Sequence, residues 1–298
     1  MRIRKAVIAV AGYGTRFLPA TKAQPKEMLP ICEKPVVQHL VEEVVKSGIK
    51  DIILVTRAGS NAVEDHFDSS RELELHLQEQ GKLDYLEQIQ AIPQQANFAF
   101  VRQGRHLPYG NASPLLAAKH YLDEGEPFVY MFGDDLVFSQ TPCVQQLIDV
   151  YKTERPAAVI AFQDVPAEVV DRFGMAKLRQ GTQPPELESI VEKPLPKEAP
   201  SRLAQLGRFV LPWRTIEILD EMCSRHTYTA KQELYLTHAN DVLCREARVL
   251  AHSIEGKWIT TGDLVSFLIA NIEYALHHPD PGISDGLNDY LRGLDLGK

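Results

Sequence analysis

Two glycines and three cations stand close together near the start of the chain. Residues 11–30 read AGYGTRFLPATKAQPKEMLP, with Gly12 and Gly14 ahead of Arg16, Lys22 and Lys26. Glycine lets backbone amides approach a ligand closely and adopt positive φ. Exposed amides joined by cationic side chains suit a run of phosphates. Two familiar phosphate loops are excluded. A dinucleotide fingerprint needs a third glycine where Phe17 stands, and a Walker loop needs Gly-Lys followed by Ser or Thr, which this segment lacks. From spacing alone, a polyphosphate cradle and an ordinary solvated basic turn both remain open. The global field does not help an anion, because 32 Lys+Arg against 40 Asp+Glu leave a formal charge of −8. Any anionic ligand must be met by local cations, and nucleic acid is not expected as a partner.

The position of this segment follows from its flanks. Residues 6–10 form a continuous apolar run, which suits a strand buried on both faces. The Gly-rich segment then leaves the carboxyl end of that strand, where open parallel sheets bind ligands. Further strands are expected at 51–55, 98–101, 127–132 and 157–162, with helices at 36–47, about 62–80, 114–121 and 144–151. Strands alternating with helices imply an α/β fold: a Rossmann-like mixed, mainly parallel sheet flanked by helices. After about residue 165 the rhythm changes. Short strands are expected near 175–178, 189–191, 208–210 and 248–254, and helices near 214–223, 232–244 and 262–276. In the last helix, Leu264, Phe267, Leu268, Ile272 and Leu276 would form the apolar face. One domain over 1–278, in two sequential halves divided near 165, is expected, followed by a loosely packed tail or partner-binding arm at 279–298. The four cysteines are scattered and form no Cys-x-x-Cys pair, which points to reduced thiols of a cytoplasmic protein. The opening MRIRKAVIAVAG is too short to span a membrane and breaks into a turn without a cleavage site, so no membrane partner is expected.

The stretch AVIAVAGYGTRFLPATKAQPKEMLPICEKPVVQH resembles the signature of sugar-phosphate nucleotidyltransferases, and in its length that of bacterial UTP–glucose-1-phosphate uridylyltransferases. Shorter matching motifs follow in order: RQG at 102–104, GDD at 133–135, FG at 173–174, VEKP at 191–194, GRFVL at 207–211, ELYLT at 233–237 and TGD at 261–263. The resemblance implies a Mg²⁺-dependent enzyme joining UTP and glucose 1-phosphate, or a close sugar 1-phosphate, with release of pyrophosphate. The nucleophile would already be an anion, so alignment and charge neutralisation would carry catalysis. By resemblance, Arg16 contacts the β- and γ-phosphates, Lys26 the α-phosphate, and Ala11, Gly12 and Gly14 hold base and phosphates through their backbone. Gln103 would meet the uracil edge beside Gly110, and Asp134 the nucleotide and metal. Glu192 would bind sugar hydroxyls and Lys193 the sugar phosphate, while Gly174 and Gly207 let the sugar approach. Asp135 is carried as a sugar-side candidate or as a supporting or helix-capping carboxylate. The nucleotide half would be about 1–165 and the sugar half about 166–278. A homodimer or homotetramer is implied, with the C-terminal helices as interface.

Four departures from the family pattern stand out. A Gly-Leu-Gly-His-Ala run is replaced after Gly110 by Asn111, Ala112, Ser113 and Pro114. Tyr235-Leu-Thr-His238 stands where Gln-Leu-Thr-Asp is usual, Thr260 where an Asp precedes Thr-Gly-Asp, and Leu264 where a Lys follows it. Three consequences stay open: metal held by Asp134 and the triphosphate, Asp263 taking over, or a nucleotide-binding regulatory paralogue with weak or no turnover.

Overall fold

The computed structural model describes residues 2–229 and 232–294. The chain runs β1 (Lys5–Val10), the hairpin β2 (Pro30–Ile31) and β3 (Lys34–Pro35), α1 (Val36–Lys46), β4 (Asp51–Thr56), α2 (Asn61–His66), α3 (Arg71–Glu79), α4 (Leu83–Ala91) and β5 (Asn97–Arg102). It continues through α5 (Ser113–Ala118), β6 (Phe128–Phe132), β7 (Asp135–Phe138), α6 (Cys143–Glu154), β8 (Ala158–Asp164), β9 (Gly174–Leu178) and β10 (Leu187–Glu192). The last elements are β11 (Leu203–Leu211), α7 (Arg214–Arg225), α8 (Leu236–Glu246), β12 (Val249–Ser253), β13 (Lys257–Thr260), α9 (Leu264–Leu276) and α10 (Pro281–Gly293).

A nine-stranded mixed sheet organises the described residues, with β10-β9-β11-β6-β1-β4-β5 as its path, β8 paired also to β11 and β12 paired to β8. Its first half is parallel throughout: β1 pairs with β4 and β6, and β4 with β5. The long β11 runs antiparallel to β6, β8 and β9 and so splices the two halves. Alternation along β1 explains the layering. Ile8 and Val10 face α1 and α6, through Leu40, Val41, Val44 and Leu147, while Val7 faces the side covered by α5, α7 and α8. Both faces are dry, which is why the run is apolar without alternation.

One buried ion pair ties the halves. Arg208, fully buried on β11, donates from Nε and Nη2 to the carboxylate of Glu43 on α1 at 3.0 and 2.8 Å. Its remaining donors reach the carbonyls of Gly207 and Asp135. Such a pair is tolerable in a dry interior because its polar atoms are hydrogen-bonded.

The structure departs from the sequence expectations in several places, α4 and the β2–β3 hairpin among them. The single helix expected over 62–80 is broken into α2 and α3, because Phe67 turns into the core and the Asp68 carboxylate accepts from the Ser69 amide. The pair β7–β13 was not expected; two residues, Gly133 and Asp134, separate β6 from β7. The supposed core stripe of α9 is split: Leu264, Leu268 and Ile272 are exposed, whereas Phe267 packs against the core and edge-on to Phe17, Leu276 is half-buried, and Ala270 is the residue of α9 that is buried. The tail beyond 278 is helical in its described part, since Pro281 opens α10 and the Asp280 carboxylate accepts from the Gly282 amide at 2.8 Å, though no residue of α10 is buried.

Candidate active site

The Gly-rich segment coils around Lys26. Gly14 has φ +62°, and a Cβ there would lie 3.0 Å from Lys26 Cβ and 3.1 Å from Thr21 Cγ2. The Thr21 hydroxyl donates to the Gly14 carbonyl at 2.7 Å and locks the turn. A Cβ at Gly12 would meet Lys26 Cε at 3.2 Å. Gly14 is required by its left-handed φ and its tight contacts, and Gly12 lies close against the lysine stem. Lys26 Nζ in turn donates to Asp134 Oδ2 at 2.6 Å, across the gap to the β6–β7 turn.

The segment after β13 closes this cluster. The Thr261 amide donates to the Asp134 carbonyl at 2.6 Å, and Arg16 Nη1 donates to the Gly262 carbonyl at 3.1 Å. A Cβ on Gly262 would lie 3.2 Å from Thr260 Oγ1, 3.4 Å from Asp134 Oδ2 and 3.5 Å from Arg16 Nη1. Beside the cluster opens a cavity of about 540 Å³ whose lining includes Gly12, Lys26, Gln103, Gly110 and Asp134. Ala11 lines it as well, whereas Lys22 is exposed and does not.

Burial and charge set the protonation here. Burial alone would raise the Asp134 carboxyl, but the Lys26 ammonium outweighs it and holds the group below the usual carboxylate range. Burial would likewise lower Lys26, and Asp134 and Glu27 more than offset it, so the ammonium stays charged. Glu27 is buried, and burial pushes its carboxyl up to about 7. Its Oε1 stands 4.0 Å from Lys26 Nζ, and its Oε2 has no hydrogen-bond partner.

Two sugar-side expectations are corrected. Asp135 is buried and committed: Oδ2 accepts from the Gly207 amide at 2.8 Å and Oδ1 from Trp258 Nε1 at 2.9 Å. Burial and the neighbouring Asp134 raise its carboxyl to about 6. It braces β7 against β11 and has no oxygen left for a sugar hydroxyl. Gly207 offers no sugar approach either, because a Cβ there would strike Phe132 Cβ at 2.5 Å and Asp135 Oδ2 at 2.6 Å. Its lack of a side chain serves internal packing.

The other sugar-side residues gather at the end of β10. Lys193 has φ +46°, its amide donates to the Phe173 carbonyl at 3.0 Å, and its Nζ donates to Tyr235 Oη at 3.2 Å. The ammonium sits 4.5 Å from the Tyr235 ring centroid. A Cβ on Gly174 would lie 3.3 Å from Glu192 Oε2 and 3.1 Å from Thr237 Oγ1, so Gly174, Glu192 and the start of α8 are in direct contact. His238 is exposed, with its ring 5.7 Å from that of Tyr235.

Arg57 and Glu27 are among the cavity residues that were missed in the sequence. Arg57 stacks over the Tyr13 ring at 5.3 Å, and its buried Nε has no hydrogen-bond partner. Glu27 shares the lining. Arg57 could have been found, since it directly follows the carboxyl end of β4. Nothing in the sequence marked Glu27 as buried.

The donor set suits a divalent cation of the oxygen-loving kind. Among the described residues no group of three or more His, Cys, Asp and Glu gathers as a metal site. Asp134 faces the cavity, with its Oδ2 paired to Lys26. Asp263 caps α9, accepting from the Ser266 amide and hydroxyl at 3.0 Å each, and cannot take over the role. Thr260 contributes a hydroxyl already bonded to the Gly262 amide at 3.2 Å. One carboxylate with substrate phosphates and water fits Mg²⁺ and would be inadequate for a closed protein cage.

An α/β sheet whose first turn wraps a lysine onto a strand-end carboxylate, beside a nucleotide-sized cavity, defines a nucleotide-dependent transferase. The nucleotidyl transferase family matches residues 5–276, and the chain belongs to that family. A UTP–glucose-1-phosphate uridylyltransferase of Staphylococcus epidermidis is 42% identical over 297 residues, covering 99% of each chain. The UTP–glucose-1-phosphate uridylyltransferase YngB of Bacillus subtilis is 42% identical over 281 residues, 94% of this chain and 92% of that one. Among solved structures, a UTP-bound UGPase from Acinetobacter baumannii superposes with a TM-score of 0.87 at 32% identity, covering 99% of this chain and 100% of that one. A UDP-glucose pyrophosphorylase complexed with UDP-glucose gives 0.80 at 30% identity, over 92% and 98%.

Proposed function

We propose that this chain is a UTP–glucose-1-phosphate uridylyltransferase. A phosphate oxygen of glucose 1-phosphate attacks the α-phosphorus of UTP, the bond to the β-phosphate oxygen breaks, and UDP-glucose and pyrophosphate result. No proton need be removed from the nucleophile, so positioning and charge neutralisation carry the rate. Lys26 faces the α-phosphate and neutralises charge gathering there. Arg16 receives the β- and γ-phosphates and the departing pyrophosphate. Ala11, Gly12 and Gly14 supply backbone contacts, and Gln103 meets the uracil edge near Gly110. Glu192 binds sugar hydroxyls beside Gly174, and Lys193 binds the sugar phosphate. Asp134 would hold Mg²⁺, which when bound supplies further charge neutralisation on the phosphates.

The observation that supports this reading most is the Lys26–Asp134 contact at 2.6 Å beside the cavity. It joins the cation and the carboxylate that phosphoryl chemistry requires. The rival reading, a regulatory protein that binds nucleotide without turnover, rests on Thr260 in place of a second carboxylate. Pyrophosphate release, measured with each nucleoside triphosphate against each common sugar 1-phosphate with and without Mg²⁺, separates the two. Release with UTP and glucose 1-phosphate is expected; none with any pair refutes the enzyme.

The same reading assigns about 1–165 to the nucleotide and about 166–278 to the sugar. It also includes a homodimer or homotetramer, because α9 exposes Leu264, Val265, Leu268, Ile269 and Ile272 together. A second copy of this chain is the proposed cover. A cytoplasmic site agrees with four unpaired cysteines and with no described helix long and apolar enough to cross a membrane.

A further inference from the structure

Segments 110–114 and 235–238 meet in the folded chain. The Leu234 amide donates to the Tyr109 carbonyl at 2.7 Å, and the Ala112 amide returns a bond to the Leu234 carbonyl at 3.1 Å. Gly110, at φ +141°, permits that closeness: a Cβ there would lie 2.3 Å from the Leu234 carbonyl oxygen. Asn111 extends the seam by its side chain. Its Oδ1 accepts from the amide of Leu236, the first residue of α8, at 2.8 Å.

That bond fills a need. The first amides of a helix lack intrahelical partners, and the capping residue of α8, Tyr235, makes no side-chain cap of its own. Leu236 is fully buried, so water is a poor substitute. Asn111 is itself held from the sheet, because its carbonyl accepts from the hydroxyl of buried Tyr130 on β6 at 2.6 Å. On one side, then, Asn111 belongs to the cavity wall with Tyr109, Gly110 and Pro114. On the other it fixes the first turn of α8. Tyr235 stands immediately before that turn and holds Lys193 by both its hydroxyl and its ring.

We propose that Asn111 is a positioning residue that sets the sugar-phosphate lysine from the wall of the nucleotide cavity. The route runs Asn111 Oδ1, Leu236 amide, Tyr235, Lys193. It rests on the reading above that Lys193 meets the phosphate of the sugar. Without the acceptor, the first turn of α8 loosens, Tyr235 no longer fixes the ammonium, and the sugar 1-phosphate suffers more than the nucleotide.

The test measures initial rates of pyrophosphate release over a range of glucose 1-phosphate at saturating UTP, with UTP affinity taken by calorimetry. Asn111→Ala is expected to raise the KM for glucose 1-phosphate about fivefold, the effect typical of losing a helix N-cap, and by more than it raises the UTP Kd. Asn111→Asp keeps an acceptor for the same amide and is expected to restore that KM. Tyr235→Phe leaves the cap intact and removes the hydroxyl from Lys193; it should raise the same KM, and the double variant should add little further. An unchanged KM in Asn111→Ala alongside a raised one in Lys193→Ala would overturn the proposal, as would an Asn111→Asp variant as impaired as Asn111→Ala. If Asn111→Ala fails to fold, an unchanged KM in Tyr235→Phe overturns it. An unchanged KM in Lys193→Ala would instead remove the sugar-phosphate reading itself, and the proposal with it.

Discussion

Replacing Lys26 by methionine keeps most of the stem that packs against Gly12 and Gly14 and removes the charge. The side chain is 17% exposed and its ammonium is 2.6 Å from Asp134, so it acts in a partly dry environment. A unit charge about 4 Å from charge developing at the α-phosphorus contributes about 4 kcal/mol at an effective dielectric of about 20. At 1.36 kcal/mol per decade that is about three decades of rate. UTP already carries negative charge in the ground state, so part of the attraction is uniform binding and should appear as a UTP Kd raised by up to about tenfold. The expected result is a kcat lower by about a hundredfold to a thousandfold with a much smaller loss of UTP affinity. Rapid-quench pyrophosphate release gives the first quantity and calorimetric titration with UTP the second. Equal losses in both, or a kcat within about tenfold of the parent, would refute transition-state stabilisation by this lysine.

Thr260→Asp should place a second carboxylate by Asp134 and lower the half-saturating Mg²⁺ concentration about tenfold, which is about 1.4 kcal/mol of binding; a Mg²⁺ titration of the rate and of UTP binding checks it. Glu27 titrates near 7 in the fold against about 4.5 unfolded, so the folded chain binds its proton more tightly. Its ionisation therefore costs stability, by up to about 3 kcal/mol, developing as pH rises from about 4.5 through 7 and complete above. Glu27→Gln should match the parent near pH 4.5 and exceed it in thermal stability by pH 8; a difference that does not change with pH would contradict this. Arg208→Met strands the buried Glu43 carboxylate and should lower stability by about 3–5 kcal/mol in urea unfolding. Leu268→Glu on the outward face of α9 should convert an oligomer to monomer in light scattering, and a monomeric parent would dismiss that interface.

Much of the turn around Lys26 was legible because local sequence and fold agree there. A strand buried on both faces must be apolar throughout, so residues 6–10 announced themselves, and a turn closing on a lysine stem with left-handed φ calls for glycine at 14. Asp134 was legible for a related reason, since it follows a buried strand at its carboxyl end. The sugar side was harder to read. Asp135 sits one residue from Asp134, yet the pleat and the turn send it into the interior onto Gly207 and Trp258, a tertiary outcome that no spacing reveals. Gly207 was taken as a ligand contact when its missing side chain makes room for Phe132. The α9 periodicity was correct, but a helical stripe says only that one face is apolar. It does not say whether this chain or another covers it. Asn111 and Leu236 are 125 residues apart, so their bond lay beyond any local pattern.

The most direct test of the account is a crystal structure of the protein soaked with UTP. Density for a triphosphate along residues 12–16, with its α-phosphate beside Lys26 and uracil beside Gln103, is the expected result. A nucleotide bound elsewhere, with that turn empty at saturating UTP, would contradict the account at its root.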